Sequence, residues 1–420
     1  MTSIDNKALK LSRKYKGKIE IKPKIRIKSL DDFAVIYTPG VAAVSRAIAS
    51  NKATARELTH KWNSIAIITD GTRVLGLGNI GPDAAMPVME GKALLFKYLG
   101  GVDAIPITLG VTDYEKMVET IKAIAPSFGG INLEDIESPK SFMLLERLRN
   151  ELEIPIWHDD NQGTAAAALA GLINALKIVG KSIGSIKMVL VGAGTANLSI
   201  LRLLSLYGLD KRKAVVIDSK GVLHKGRPDY ELLRTSNPQK YDAINTTNAE
   251  QVTTIEEAFR GSDVVISAST PGPGVIKQEW LKSMAKDPIV FALANPEPEI
   301  SFEEAKSAGV RVFGTGRSDI PNQINNSLVF PGVFRGVLDI QARHITDSMA
   351  VAAAEELAKY AQEKGISESY IIPRMDENEA YYRVAAGVGV QAYKDGVTKI
   401  SKSYDELYAE AKAYIEKHRK

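Results

Sequence analysis

The sequence contains no cysteine, and this absence removes several kinds of chemistry at once. Disulfide bonds, thiolate metal sites and a cysteine nucleophile are excluded, so a bound metal would need histidine, carboxylate or backbone oxygen ligands. Oxygen ligands suit hard cations such as Mg²⁺ better than they suit zinc. If the protein binds a metal, the composition therefore favours a hard divalent cation over zinc.

Long apolar runs and a strong charge bias are also missing. The longest apolar run, residues 165–176, is interrupted by Asn174 and is too short to span a bilayer. A net charge of +4 is small for 420 residues and gives no argument for nucleic acid binding. The lysine-rich N-terminus lacks the apolar centre of a signal peptide. We therefore expect a two-domain cytoplasmic protein with neither a membrane nor a nucleic acid as its partner.

Acidic pairs follow two successive predicted strands. Residues 154–164, IPIWHDDNQGT, predict a short buried strand that ends at Asp159 and Asp160 and turns into an alanine-rich helix. The preceding strand, in FGGINLED, ends at Glu134 and Asp135. Sequential parallel strands tend to be neighbours, so the four carboxylates should converge at one sheet edge as an Mg²⁺ or Mn²⁺ site. Taken one at a time, such residues are also common as helix caps or surface charges.

Two other residues occupy unusual positions. Lys92 interrupts the apolar face of a helix predicted over residues 87–99, where burial or a nearby cation would lower its pKa and make it a general base. The alternative is a lysine that extends its ammonium group to water. Tyr37 stands where Thr38-Pro39-Gly40 breaks an apolar run, and its alternative is an ordinary core aromatic.

Residues 64–78 predict two strands joined by a hairpin turn at Asp70-Gly71, with Arg73 on the second strand. Residues 18–29 alternate apolar and basic side chains, which predicts an exposed strand or an extended arm.

A second α/β unit begins at residue 186. A short strand leads into a glycine-rich turn and a long apolar helix, and the next strand ends at Asp218, where the ribose-binding acid of a dinucleotide site belongs. Asn197 replaces the third glycine of the fingerprint, which predicts looser packing of helix on strand. The residues expected to bind the cofactor at the turn are Gly192, Ala193, Gly194, Thr195 and Ala196.

The cofactor signals conflict. Asp218 favours the free 2′-hydroxyl of NAD, whereas Lys220, Lys225 and Arg227 offer positive charge to the 2′-phosphate of NADP. We therefore predict use of both cofactors. A doubly wound sheet that binds no nucleotide remains the alternative for this unit.

The order of these patterns predicts an α/β protein in three parts. Residues 1–160 form an α/β domain for substrate and metal, and residues 161–345 form a Rossmann-like, doubly wound dinucleotide-binding domain. Residues 346–420 form a helical segment that packs on the body or on a partner subunit.

Eight motifs occur in order between residues 31 and 373, and with them the sequence resembles the malic enzymes, in particular the shorter bacterial and archaeal type. The motifs are YTPGVA, RVLGLGNIGP, MEGKALLFKYLGG, INLEDI, HDDNQGTA, VLVGAGTA, ALANP and NNSLVFPG. By this resemblance the catalytic residues are Tyr37, Lys92 and Asp159, and the metal ligands are Glu134, Asp135 and Asp160. The resemblance also assigns malate binding to Arg73, Asn295 and Asn326, with Asn295 at the cofactor site as well.

The resemblance implies oxidative decarboxylation of L-malate to pyruvate and CO₂, with NAD or NADP and Mg²⁺ or Mn²⁺, in a homodimer or higher homo-oligomer. In that reaction Lys92 would take the C2 hydroxyl proton and Tyr37 would protonate enolpyruvate. A malolactic enzyme would share these residues and release lactate. An amino-acid dehydrogenase and a dinucleotide-sensing module without catalysis are further alternatives.

Overall fold

The first of two sheets carries the acidic strand ends. The computed structural model describes residues 3–419. Four parallel strands lie in the order β2-β1-β3-β4. In chain order they are β1 Ser64–Thr69, β2 Asp103–Thr108, β3 Gly130–Leu133 and β4 Ile156–His158. Leu133 pairs with His158, so the acidic pairs that follow β3 and β4 leave the sheet side by side, as predicted.

The second sheet has six strands in the order β10-β9-β8-β5-β6-β7, parallel except for β7. They are β5 Met188–Val191, β6 Ala214–Asp218, β7 Gly221–Val222, β8 Val264–Ser267, β9 Ile289–Ala292 and β10 Val312–Thr315. The chain builds outward from β5 in one direction and then from β8 in the other, so the strand order reverses between these two strands. This is the doubly wound arrangement that places a ligand crevice at the reversal, and the predicted fold class is confirmed.

Eighteen helices surround and connect the sheets in the described part of the chain. In order they are α1 Ser3–Tyr15, α2 Leu30–Ile36, α3 Val41–Ser50, α4 Ala55–Leu58, α5 Gly81–Gly100, α6 Tyr114–Ile124, α7 Lys140–Glu151, α8 Thr164–Val179, α9 Thr195–Leu206, α10 Tyr230–Ser236, α11 Pro238–Thr246, α12 Ile255–Phe259, α13 Gln278–Lys282, α14 Phe302–Ser307, α15 Phe330–Asp339, α16 Asp347–Lys364, α17 Asn378–Lys394 and α18 Tyr404–His418.

Helix α8 fixes the acidic strand end to the rest of the core. A short π-helical turn, Asp159–Gly163, runs directly into it, and its alanines are buried. We call Asp159–Gly163 the acidic turn. Farther along α8, the buried Asn174 donates hydrogen bonds to the carbonyls of Ala358 and Ile371, at 3.0 and 2.8 Å. Small side chains permit close approach of the helices, and the amide ties α8 to the C-terminal region.

The C-terminal helices pack on α5 of the same chain. Arg335 on α15 is fully buried, donates to Asn63 Oδ1 at 2.6 Å and pairs with Asp339. Its guanidinium lies over the ring of Tyr414, which belongs to α18. The largest core cluster contains residues of both sheets and of these helices. Core packing is therefore continuous across the predicted domain borders at residues 160 and 345, and these borders stay predictions.

Helices α2 and α3 contain no buried residue. Several of their apolar side chains are exposed, among them Leu30, Phe33, Val35 and Val41. Exposed apolar groups that are concentrated in one segment indicate a contact surface. The segment formed by α2 and α3 therefore has the character of a contact surface.

Two helical stretches, Leu30–Ser50 and Asp159–Val179, are long and apolar enough to cross a membrane by length and composition alone. The second is mostly buried, as a core helix would be, and the first is divided between α2 and α3. Core helices pass the same test, so this is weak evidence for a membrane. The absence of a membrane partner stays a prediction.

Two local predictions were wrong, and of the two alternatives predicted for residues 18–29 only the strand is excluded. No hairpin follows β1, because the side chains of Thr69 and Asp70 accept the backbone N–H groups of Gly71 and Thr72, which turns the chain across the sheet edge. Residues 18–29 contain no strand. Helix α5 begins at Gly81 instead of near residue 87, since Pro82 occupies the first turn, where a missing N–H costs nothing.

Candidate active site

A cavity of ≈ 650 Å³ lies where the carboxyl ends of the two sheets face each other. Residues from both parts of the chain line it, and they include most of the predicted site. From the first part these are Arg73, Lys92, Glu134, Asp135 and Asp160. From the second they are Gly194, Thr195, Ala196, Asn295 and Asn326.

Lys92 is the cation at the centre of the acidic cluster. Helix α5 places its Nζ 2.5 Å from Asp159 Oδ2 and 3.0 Å from Glu134 Oε1. The ring of Phe330 lies 4.6 Å from the same nitrogen and restricts its access to water. The ammonium group is therefore held by carboxylates instead of extending to solvent.

Asp159 lies behind the cavity wall and holds Lys92 in place. It is fully buried, and Trp157 Nε1 donates to its second oxygen at 3.1 Å. A Cβ atom at Gly163 would lie 2.1 Å from Asp159 Oδ1. Only glycine therefore fits at the end of the acidic turn while Asp159 keeps this position.

Burial and mutual repulsion disfavour the charged forms of the carboxylates. Burial, followed by the charge of Asp160, raises the pKa of Asp135 to about 7. Burial likewise raises the pKa values of Glu134, Asp159 and Asp160, with Lys92 acting in the opposite direction. Four acids thus share a single buried lysine.

The prediction that the pKa of Lys92 is lowered was wrong for this arrangement. Burial alone lowers it, but the charges of Asp159, Glu134 and Asp160 outweigh burial and leave the pKa above its ordinary value. The sequence pattern identified the buried lysine without indicating how close the acids would lie.

The carboxylates fit a hard divalent cation by the chemistry of their donors. All are oxygen ligands, as Mg²⁺ and Mn²⁺ prefer, and Asp135 Oδ2 is buried without a hydrogen-bond partner. Within residues 3–419, however, no group of three or more His, Asp or Glu side chains is already arranged around one point. Asp160 Oδ2 instead accepts the backbone N–H of Asp135 at 3.1 Å. The side chains would have to adjust to bind one ion together.

The glycine turn after β5 has the geometry of a phosphate site. Gly192 has φ +101°, and a Cβ there would lie 2.5 Å from the carbonyl of Ala268. Gly194 faces open space, and α9 begins at Thr195, so free backbone N–H groups point toward the cavity. Asn197 was predicted to loosen the packing of the helix on the strand, but it ties the start of α9 to the end of β5. Its buried Nδ2 donates to the carbonyls of Val191 and Gly192, at 2.7 and 2.9 Å.

Asp218 ends β6 as predicted, but its charge is already offset. Arg227 donates to both of its oxygens at 3.0 and 3.1 Å, and Lys240 contacts it at 3.1 Å. Arg227 also pairs with Asp229, which in turn binds Lys220. Asp218 therefore offers less repulsion to an anion than an isolated carboxylate would.

Tyr37 is the one predicted catalytic residue that neither lines the cavity nor contacts a residue that does, among the contacts of the described structure. Its side chain is 70% exposed at the end of α2, and it does not line the cavity. Tyr37 is therefore neither a packed core aromatic nor part of the cavity of its own chain. The structure thus leaves the role of Tyr37 open within one chain.

Glu299 organises the cavity and was missed at the sequence level. It is fully buried and accepts hydrogen bonds from Ser267 Oγ, Ser269 N and Ala294 N, at 2.7, 2.8 and 3.1 Å. These bonds join the loops after β8 and β9. The signal was an acid among prolines in NPEPE, which also reads as an ordinary surface loop.

Comparison with known proteins gives the family. A family model described as "Malic enzyme, N-terminal domain" matches residues 16–149, and one described as "Malic enzyme, NAD binding domain" matches residues 161–393. The chain is 45% identical over 406 residues to a "Bifunctional malic/malolactic enzyme" of Bacillus subtilis (strain 168), covering 96% of this chain and 97% of that protein.

Two further similarities agree. The chain is 48% identical over 384 residues to an "NAD-dependent malic enzyme" of Geobacillus stearothermophilus, covering 91% of this chain and 78% of that protein. The crystal structure of Entamoeba histolytica malic enzyme superposes with a TM-score of 0.96 at 45% identity, over 99% of this chain and 87% of that one. Both domain models, the identities and the fold lead to one conclusion: the chain belongs to the malic enzyme family, whose members are NAD(P)-dependent oxidoreductases.

Proposed function

We propose that this malic enzyme oxidises and decarboxylates L-malate to pyruvate in the cavity between the two sheets, with Mg²⁺ or Mn²⁺ as well as the dinucleotide. The observation that carries the proposal is the buried Lys92 among carboxylates, facing the glycine turn across one cavity. We expect the protein to act in the cytoplasm on this small substrate, with no nucleic acid or membrane partner.

The cation would be held by Glu134, Asp135 and Asp160. When bound, it supplies electron withdrawal at the substrate oxygens, which favours both loss of the hydroxyl proton and loss of CO₂. Arg73, Asn295 and Asn326 line the same cavity and offer donors for the carboxylates and hydroxyl of malate. These contacts would orient malate in the cavity that the glycine turn also lines, where the dinucleotide would be held.

Lys92 takes the C2 hydroxyl proton in this proposal. Its high pKa depends on Asp159, Glu134 and Asp160. A cation bound to Glu134 and Asp160 would neutralise part of this negative charge and so lower the pKa of the Lys92 amine. Lys92 Nζ stays hydrogen-bonded to Asp159, which can accept the proton of the ammonium group. Lys92 then has a neutral amine that can take the hydroxyl proton without leaving its position.

We further propose that Tyr37 enters the site of a second copy of the chain. Helices α2 and α3 bury none of their residues, and the exposed Leu30, Phe33 and Val41 flank Tyr37 in sequence. Covering this apolar surface with a partner would bring Tyr37 into a site that lacks an acid for C3. The proposal therefore requires a homodimer or a higher homo-oligomer.

The assay that tests the function uses purified protein, L-malate, Mn²⁺ and either NAD or NADP. We expect pyruvate and reduced cofactor in equal amounts, loss of turnover with EDTA and recovery with Mn²⁺. Lactate without net cofactor reduction would support the malolactic alternative, which the name of the Bacillus subtilis relative favours. Full activity after exhaustive metal removal would contradict the proposed cation.

Mixed oligomers test whether Tyr37 acts across the interface. Tyr37→Phe and Lys92→Ala should each lose activity by at least about a hundredfold, because each removes a positioned acid or base. Co-expressed with different tags, the two variants form hybrids in which one site keeps both residues. We expect the purified hybrid dimers to recover about half of the parental rate. A control hybrid of two differently tagged Lys92→Ala chains should remain inactive.

No recovery in verified Tyr37→Phe/Lys92→Ala hybrids would contradict the exchange of Tyr37 between chains. In that case both residues would serve the same chain, and each hybrid site would carry one lesion.

Cofactor choice follows from the neutralised Asp218. With Arg227 and Lys240 bound to it, we expect kcat/KM for NAD and NADP to differ by less than about a thousandfold, or about 4 kcal/mol. Asp218→Asn should raise kcat/KM for NADP relative to kcat/KM for NAD, because it removes the remaining repulsion of a 2′-phosphate. Asp210→Asn, at the opposite end of β6, is the matched control and should leave the ratio unchanged. A larger difference in the parent protein would rule out dual use.

A further inference from the structure

A second cavity lies beside the malate cavity and shares its wall. Asp160 lines the malate cavity, whereas the next two residues of the acidic turn, Asn161 and Gln162, line a compartment of ≈ 40 Å³ between α7, α9 and the start of α16. Arg149 and Arg202 line both this compartment and a wider cleft of ≈ 960 Å³. The acidic turn therefore separates two spaces, and only one belongs to the proposed reaction.

The small compartment is surrounded by polar groups that have no partner in the described structure. Asn161 is 1% exposed, and neither its Nδ2 nor its Oδ1 makes a hydrogen bond. Gln162 is 7% exposed, and its Nε2 is also without a partner, while its Oε1 accepts the backbone N–H of His158. Buried polar atoms are nearly always hydrogen-bonded, so this concentration indicates a bound molecule or ordered water.

Arg149 adds positive charge to the same place. It donates through one terminal nitrogen to the carbonyl of Ile345 at 2.8 Å, but its Nε is buried without a partner. Burial lowers the pKa of Arg149, the charge of Asp347 acts in the opposite direction, and Arg202 lowers the pKa further. The carboxylate of Asp347 also lines this compartment and is paired with Arg202 at 2.5 Å, and it makes no hydrogen bond to Arg149 Nε. A guanidinium in such surroundings gains most from an anionic partner.

The balance of donors and acceptors decides between water and an anion. The unpartnered atoms of Arg149, Asn161 and Gln162 comprise three N–H donors and one acceptor, Asn161 Oδ1, and the carboxylate of Asp347 at the same compartment is already paired with Arg202. Water donates as many hydrogen bonds as it accepts, whereas an oxyanion accepts without donating. The size of the compartment admits a single head group, and the wider cleft leaves room for the rest of a ligand.

We propose that this compartment binds the oxyanion head group, carboxylate or phosphate, of a small metabolite that is not the substrate. The head group would accept hydrogen bonds from Arg149 Nε, Asn161 Nδ2 and Gln162 Nε2. Because Asn161 directly follows Asp160, an occupied compartment holds the acidic turn from its other side. The site is then positioned to couple an effector to the malate cavity.

Titration calorimetry on the full-length protein tests the site without turnover. The probes are succinate and inorganic phosphate, titrated separately into protein that is saturated with L-malate and Mn²⁺ but contains no cofactor. We expect at least one probe to bind at one site per chain, and Arg149→Gln to weaken it by at least about tenfold, since a charged hydrogen bond is lost. Binding of succinate alone identifies a carboxylate site, and binding of phosphate alone identifies a phosphate site.

Matched variants separate this compartment from the malate cavity. Gln162→Glu keeps the acceptor for His158 N–H, leaves Arg149 intact and adds repulsion, so it should also weaken the probe. Arg147→Gln, an exposed arginine on the same helix, should leave binding unchanged. Arg73→Gln removes a residue proposed for malate and should likewise leave the probe's affinity unchanged, even if it abolishes malate turnover.

The proposal is overturned if neither probe gives a heat of binding at concentrations up to about 10 mM. That range is wide enough to detect binding free energies of only a few kcal/mol. It is overturned equally if a probe binds but neither Arg149→Gln nor Gln162→Glu changes its affinity. In both cases the unpartnered atoms would be satisfied by ordered water.

Discussion

Buried negative charge is the constraint on which the site depends. Four carboxylates leave neighbouring strand ends, and Lys92 is the cation among them. Burying ionised groups costs several kcal/mol each unless they are paired, and the raised pKa of Asp135, about 7, expresses that cost. The fold tolerates it because the acidic turn is fixed through α8 to the C-terminal helices. Such an arrangement is useful to a protein only where a cation or a reacting proton completes it.

The surrounding structure serves this cluster from several directions. Gly163 gives Asp159 the space that it needs, and Trp157 orients the same carboxylate. Across the cavity, Asn197 ties the glycine turn to β5, and Glu299 joins the loops that carry Ser269 and Ala294. Each is a buried polar group whose bonds fix a loop at the sheet edge. Hydrogen bonds fix the site at these points, whereas Tyr37 lies at the end of α2, in a segment without buried residues.

Sequence patterns predicted the features that depend on local order along the chain. The parallel strands, the acidic pairs and the glycine turn each follow from a strand, its end and the next helix, and strand neighbours then fix their convergence. Three features could not be predicted: one depends on side-chain bonds within a turn, one on a contact between distant segments and one on the proposed second chain. The side-chain bonds of Thr69 and Asp70 replaced a hairpin by a turn, and the proximity of Asp159 reversed the expected pKa of Lys92. Tyr37 is exposed in one chain, and we propose that its place in a site depends on a second chain, which no pattern within one sequence describes.

The most direct test of the account is whether the acidic cluster binds a divalent cation through Asp160. Calorimetric titration with Mn²⁺ needs no substrate and no turnover. We expect Mn²⁺ to bind the parent protein and Asp160→Asn to weaken the affinity by at least about tenfold, because one ligand oxygen is replaced by a weaker donor. Asp218→Asn, whose carboxylate lies outside the cavity lining, should bind Mn²⁺ as the parent does. Equal affinity in the parent and in Asp160→Asn would contradict the account.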